Sequence, residues 1–174
     1  MDAYLDLEFS YERWISVFGI YRQDTGFKQL IGRGITKDKI EKLLEGCRRI
    51  VTFNGNCCEI PVIEKRFDIN IRERFQSRDL REECRKKKIT GRFHDILNRF
   101  GIQRHLALRG RDAMNLWYWF KREYDWLLLY KLLDYNREDV MCLVQLHKKL
   151  RSGSAKQIFN CKACKAGSGS CHKP

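Results

Sequence analysis

Two carboxylates stand two positions apart in the apolar segment Tyr4–Phe9, close to the start of the chain. Side chains at positions i and i+2 of a β-strand point to the same face of a sheet, so Asp6 and Glu8 are expected to converge. Two like charges on a mostly buried strand are costly unless a cation lies between them. Ligation by oxygen alone selects Mg²⁺ or Mn²⁺ over Zn²⁺. The segment therefore predicts a strand that carries a divalent-metal site, and with it a metal-dependent enzyme.

The order of the predicted elements indicates a mixed α/β fold. Three strands are predicted to form an antiparallel meander, a helix capped by Thr36 follows, and a fourth strand ends at the turn Asn54-Gly55. The predicted strands are Tyr4–Phe9, Trp14–Tyr21, Phe27–Gly32 and Arg49–Phe53, with a short extended piece at Phe75–Leu80. Further helices are predicted over Ile60–Phe67, Arg92–Phe100, Asp112–Tyr124 and Trp126–Leu150. Strands first and helices later predict a mixed sheet, a meander plus parallel strands, flanked by helices.

The charge of the chain favours a polyanionic partner. The 174 residues carry 35 Lys and Arg against 22 Asp and Glu, a formal net charge of +13. Ten of these cations against three acids lie between Arg81 and Arg111, in a segment that we call the basic stripe. Such a stripe attracts a phosphate backbone, although a solvated surface has the same composition. Because the same chain carries a predicted carboxylate metal cluster, binding of nucleic acid is the better interpretation of the basic stripe.

Hydropathy and cysteine use favour a protein of the cell interior. The longest apolar run, Trp126–Tyr130, falls far short of the ~20 residues that span a bilayer. The N-terminus enters the first strand without a basic region or cleavage site, so we expect no signal peptide and no membrane partner. Five cysteines lie in apparent core elements, which favours reduced thiols: Cys47, Cys57, Cys58, Cys84 and Cys142. We expect a cytoplasmic location, or a nuclear one in a eukaryote.

The C-terminal segment 151–174 differs in composition from residues 1–150. It has linker-like Gly and Ser, no acids, and four soft potential ligands, Cys161, Cys164, Cys171 and His172. Tetrahedral Zn²⁺ suits such a set, although the spacing matches no standard finger and the adjacent Cys171-His172 need a strained turn to bind together. We therefore predict one domain over 1–150, and a basic tail that either is disordered or holds a small metal site.

Three blocks carry a resemblance to a known family. They are Asp6-Leu7-Glu8, then Asn54-Gly55-Asn56-Cys57-Cys58-Glu59, then Tyr135-Asn136-Arg137-Glu138-Asp139. In this order they resemble the three motifs of the DEDD-type 3′–5′ exonucleases of the ribonuclease-H-like fold, in the tyrosine subgroup. The segments 109–117 and 133–140 look especially like the YprB-like ribonuclease-H-like domains. The resemblance covers residues 3–150.

The resemblance implies a two-metal active site that cleaves phosphodiester bonds at the ends of single-stranded nucleic acid, with DNA favoured over RNA. It implies that Asp6 bridges two Mg²⁺ or Mn²⁺ ions, while Glu8 and Asp139 complete the inner site. Glu59 is implied to act on the second ion largely through water. Tyr135 lies one helical turn before Asp139 and is implied to orient the attacking water, since tyrosine is a poor base at neutral pH.

Residues outside the three acidic motifs are candidate substrate contacts. Asn54 matches the motif asparagine, which either touches substrate or braces its loop, and Lys131 either reaches a phosphate or is a surface lysine. Within the basic stripe, Lys86, Lys87 and Arg92 are expected to contact phosphates. Asp79 is as compatible with a structural hydrogen bond as with function, and His147 is predicted to lie on a helix surface.

The second motif departs from the family, in which an aromatic residue is followed by Asp where this chain has Cys58-Glu59. Two alternatives stand beside the exonuclease, and this departure favours the first of them. One is a non-catalytic nucleic-acid-binding module on the same fold, and the other is a structure-specific endonuclease.

Overall fold

The strand that carries Asp6 and Glu8 lies at the centre of a five-stranded sheet. The computed structural model describes residues 1–106 and 108–152. The strands are β1 (Asp2–Phe9), β2 (Ile15–Arg22), β3 (Gly26–Ile31), β4 (Arg49–Thr52) and β5 (Gln76–Asp79), in the spatial order β3-β2-β1-β4-β5. The first three strands form an antiparallel meander, and β4 and β5 run parallel to β1. The predicted mixed α/β architecture is confirmed.

Seven helices in the described part of the chain flank this sheet. They are α1 (Lys37–Leu44), α2 (Glu59–Phe67), α3 (Ile71–Arg74), α4 (Leu80–Lys86), α5 (Phe93–Arg99), α6 (Gly110–Glu123) and α7 (Trp126–Arg151), with a 3₁₀ turn at Gly32–Gly34. The expected break between the last two helices falls at Tyr124, which has a left-handed φ of 54°. Asp125 then caps α7 by accepting a hydrogen bond from the Leu127 amide. The short helices α3 and α4 were not predicted as separate elements.

The alternation of β1 decides which side chains face the site. Leu5 and Leu7 are buried in a cluster that also contains Ile60 and Ile63 of α2. Side chains at even positions face α7 instead, where Asp6 and Glu8 both contact Asn136. The period of two therefore places the apolar residues in one core layer and both carboxylates against the long helix.

Several sequence-based expectations need correction. His147 is buried rather than on the helix surface, because its Nδ1 pairs with the Tyr4 hydroxyl at 2.8 Å beneath the sheet. Cys57 and Cys58 are exposed, since they lie in the turn before α2, whereas Cys84 and Cys142 are buried.

Two further expectations concern the tail and the membrane. The candidate zinc ligands Cys161, Cys164, Cys171 and His172 lie outside the described residues. Within the described ranges, no helix is both long and apolar enough to cross a membrane.

Candidate active site

Three carboxylates from two elements meet where β1 faces α7. Asp6 and Glu8 come from β1 and Asp139 comes from α7, and one oxygen of each lies within 4.8 Å of the others. Glu8 and Asp139 are buried, and Asp6 is half-buried. The structure therefore brings together the acids of the first and third sequence motifs, which are more than 130 positions apart in the sequence.

Asn136 holds the two β1 carboxylates in position. Its Nδ2 donates to Asp6 Oδ2 at 3.1 Å, to the Asp6 carbonyl at 3.3 Å and to Glu8 Oε1 at 3.4 Å. Its Oδ1 accepts a hydrogen bond of 2.9 Å from Gln29 Nε2 on β3. Gly19, which pairs with Asp6 across the β1–β2 ladder, leaves the space for this amide: a Cβ there would lie 2.1 Å from Asn136 Oδ1.

Arg104 supplies a buried positive charge beside the third carboxylate. Its side chain is 6% exposed, and its Nη2 lies 2.8 Å from Asp139 Oδ1. The guanidinium also stacks 4.9 Å above the centre of the Tyr135 ring. Membership of the basic stripe predicted a phosphate contact at Arg104, but the residue is an ion-pair partner of the acidic cluster, because its loop folds inward over α7.

Burial and mutual repulsion make these acids weaker. Burial and the negative charge of Asp139 raise the pKa of Glu8 to about 8. Burial raises the pKa of Asp139 to about 6, although Arg104 and the Tyr135 hydroxyl partly offset the effect. The pKa of Asp6 also rises well above its ordinary value, from burial and then from the charge of Glu8. Burial and the close approach of the negative charges thus disfavour the ionised form of these acids, and a bound cation would reduce that cost.

The donor set fits divalent cations that prefer oxygen. Three carboxylate oxygens within 4.8 Å of one another are the type of ligand that proteins offer to Mg²⁺ and Mn²⁺. Asp6, Glu8 and Asp139 are the residues that would hold such an ion. Glu59 is not in the 4.8 Å group, but its negative charge is one of those that raise the pKa of Asp6.

Glu59 is a buried acid with an open ligand position. Its Oε2 is buried and has no hydrogen-bond partner among the described residues. Burial raises its pKa to about 7, with a smaller contribution from the charge of Asp79. A buried polar atom without a partner is costly, so an outer ligand role through water suits this carboxylate.

The loop before Glu59 is held by the Asp79 carboxylate. The Asp79 carboxylate accepts hydrogen bonds from the backbone amides of Asn54, Asn56 and Arg81, at 2.8, 3.2 and 2.9 Å. The Asn54 side chain contacts Cys58 Sγ and accepts from Arg81. Asp79 and Asn54 thus both brace this loop, and the substrate contact of Asn54 stays a prediction.

A cleft of about 600 Å³ leads to the acidic cluster. Asp6, Tyr135 and Asp139 line its floor together with Arg104, and Arg92 and Arg109 bring further positive charge. The rings of Phe53 and Phe93 also line it, with their centres 4.7 Å apart. Cations, aromatic rings and acids are thus gathered in one concave site.

The remaining candidate contacts lie elsewhere. Of the predicted phosphate-binding residues, Arg92 lines the cleft, whereas Lys86, Lys87 and Lys131 are exposed and do not line it. Sequence reasoning assigned no role to Asn136 or the Phe53–Phe93 pair, and it placed Arg104 only in the basic stripe. Asn136 had a usable signal, because it stands in the apolar stripe of α7 between Leu132 and Val140, where a polar residue needs a partner.

One comparison with known proteins identifies a family. A sequence model described as RNase H superfamily matches residues 3–151. No curated protein matches the chain at a significant level.

Proposed function

This chain belongs to the RNase H superfamily, whose members are mostly nucleases and hydrolases, and from that premise we propose that it is a metal-dependent 3′–5′ exonuclease acting on single-stranded nucleic acid. The observation that carries the proposal is the convergence of Asp6, Glu8 and Asp139 within 4.8 Å, beside a cleft that is also lined by arginines and aromatic rings. Two divalent ions in such a site stabilise both the attacking and the leaving oxygen of a phosphodiester.

The side chains around the acids suit this chemistry. Tyr135 lines the cleft one helical turn before Asp139, and burial and the charge of Asp139 raise the pKa of its hydroxyl far above neutral pH. The hydroxyl therefore stays protonated and hydrogen-bonds and orients the attacking water instead of removing its proton. The Phe53–Phe93 pair gives the terminal bases an apolar surface on which to stack, a role that the missing aromatic of the second motif leaves open.

Two observations favour the alternative of a binding module without turnover. Arg104 already neutralises part of the charge of Asp139, and Glu59 lies outside the group of close carboxylates. An acidic cluster compensated in this way can exist without metal. The exonuclease and the binding module therefore differ in whether a bound strand is cleaved when a divalent metal ion is added.

The test is degradation of 5′-labelled single-stranded DNA and RNA of one sequence, with Mg²⁺, with Mn²⁺ and with EDTA. A ladder that shortens from the 3′ end, needs metal and is absent in Asp6→Asn establishes the exonuclease, and the faster substrate names the sugar. Arg137→Gln is a matched control, because Arg137 is exposed on α7 and lines neither the cleft nor the cluster.

Two outcomes would contradict the proposal. Cleavage of a circular single-stranded DNA assigns the endonuclease, because a circle offers no end. Tight binding of linear strands without cleavage under either metal assigns the binding module.

A further inference from the structure

A second cavity, of about 580 Å³, opens beside the turn between β1 and β2. It shares no lining residue with the cleft over the acids. Asp6 lines the cleft and Ser10, four residues further along the chain, lines this cavity, so at roughly 3.3 Å per residue the two lie about 13 Å apart. The two concave sites are therefore neighbours on one path along β1.

The cavity carries an exposed tryptophan that is already stacked on an arginine. Trp14 is 60% exposed, and the Arg66 guanidinium carbon lies 3.7 Å from the centre of its ring. The turn is fixed by two hydrogen bonds, from the Ser10 amide to the Trp14 carbonyl and from the Trp14 amide to Ser10 Oγ. A large aromatic ring held in solvent by a rigid turn is typical of a recognition surface.

The lining is aromatic and cationic. Arg33, Arg66 and Lys121 line the cavity against a single carboxylate, Glu12. The described residues give none of these three cations an ion-pair partner within 4.0 Å. Trp117 adds a second indole, whose edge packs so closely on Gly32 that a Cβ there would lie 3.0 Å away. Aromatic faces with a cationic excess match a ligand that has both π-faces and negative charge.

We propose that this cavity binds a nucleotide of the single-stranded substrate, on the 5′ side of the bond that is cut. The base stacks on the Trp14–Arg66 pair, and its phosphates are neutralised by Arg33 and Lys121. The assignment to the strand follows from the position of the cavity, which continues the line of β1 away from the acids. The inference rests on the proposed function, and it predicts that affinity grows with strand length.

The test measures binding separately from cleavage. Full-length Asp6→Asn protein in EDTA is titrated with 5′-fluorescein oligothymidylates of two, four, six and eight nucleotides, and the Kd is read from fluorescence anisotropy. The comparison variants are Trp14→Ala, Trp14→Phe and Trp126→Ala. Trp126 is a matched control, because it is 71% exposed and lines neither cavity. Thermal unfolding of each variant verifies that it is folded.

The expected result is a lower Kd once the oligonucleotide is long enough to extend from the acids into the cavity. Loss of one base–aromatic stack weakens binding by about 5- to 150-fold, so Trp14→Ala loses that gain for the longer strands. Trp14→Phe regains much of it, and Trp126→Ala keeps all of it. In addition, Arg33→Gln lowers the slope of log Kd against log salt by about 0.7, the value for one phosphate contact to a single strand.

Three results would overturn the inference. They are equal length dependence in Trp14→Ala and Trp126→Ala, no binding of any oligonucleotide, and Trp14-dependent binding of thymidine monophosphate as tight as that of the longest strand. The last result assigns the cavity to a free nucleotide.

Failure of the proposed nuclease function and failure of this inference give different results, because cleavage and binding are measured separately. Wild-type protein that binds strands through Trp14 but does not cut them with metal refutes the nuclease and leaves the second site. Cleavage with Trp14-independent binding does the opposite.

Discussion

Substitution of Gly19 by alanine should damage the acidic cluster from the opposite strand. The new Cβ would lie 2.1 Å from Asn136 Oδ1 and 2.9 Å from its Cγ, so the amide must move by about an ångström. Asn136 is fully buried, and its displacement breaks the hydrogen bonds that hold Asp6 and Glu8. The change therefore couples a packing clash to the loss of contacts with two carboxylates.

The expected cost follows from these two effects. Overpacking of a core costs about 1–3 kcal/mol, and a buried donor or acceptor left without its partner costs about 1–3 kcal/mol. We expect Gly19→Ala to lower the free energy of unfolding by about 3–5 kcal/mol. For a chain of 174 residues, each kcal/mol lowers Tm by about 2–4 °C, so Tm falls by about 6–20 °C. Gly34→Ala is the control, because its Cβ would approach only Lys39 Nζ, at 3.9 Å.

A double-mutant cycle tests the reasoning. Urea unfolding is measured for Gly19→Ala, for Asn136→Ala and for the pair. Once the amide is gone, the alanine at position 19 has room, so the pair should cost at least about 1.5 kcal/mol less than the sum of the single changes. Additive costs would refute the account, since they would mean that Gly19 and Asn136 act independently.

Three further predictions concern the charges. In EDTA, Glu8 contributes stability that is full below its ordinary pKa of 4.5 and is lost as pH rises through about 8. Wild-type Tm should therefore fall relative to Glu8→Gln over this range, and parallel profiles would contradict the shift. Arg104→Ala leaves the buried Asp139 carboxylate without its partner and should cost about 3–5 kcal/mol in urea at pH 8. A cost below about 1 kcal/mol would show that the pair is not buried in solution. Asp79→Ala removes the acceptor of three backbone amides and should cost about 2 kcal/mol, whereas Asp79→Asn keeps an acceptor oxygen and should cost less. Equal urea midpoints for the two variants would argue against this role.

The fold was predictable because its signals are local. The alternating or apolar runs of β1, β2 and β3, the position of Thr36 just before α1 and the periodic stripe of α7 each report a backbone conformation from neighbouring residues. The predictions were wrong where the exposure of a side chain depends on residues that are distant in the sequence. His147 follows a helical pattern that is solvent-facing in isolation, but Tyr4 covers it from the sheet. The exposure of Cys57 and Cys58 likewise depends on where their turn lies relative to the core.

The same distinction between local pattern and tertiary contact applies to the candidate active site. The spacing of Asp6 and Glu8 alone determined that both carboxylates share a face, because the period of a strand is fixed by its pleat. That Asp139 joins them, that Arg104 neutralises it and that Asn136 fits into the space left by Gly19 were decided only by tertiary structure. Those contacts join residues up to 133 positions apart, and no local pattern encodes which elements pack together. The sequence thus determined the chemistry that this protein carries, and packing decided how its charges are held.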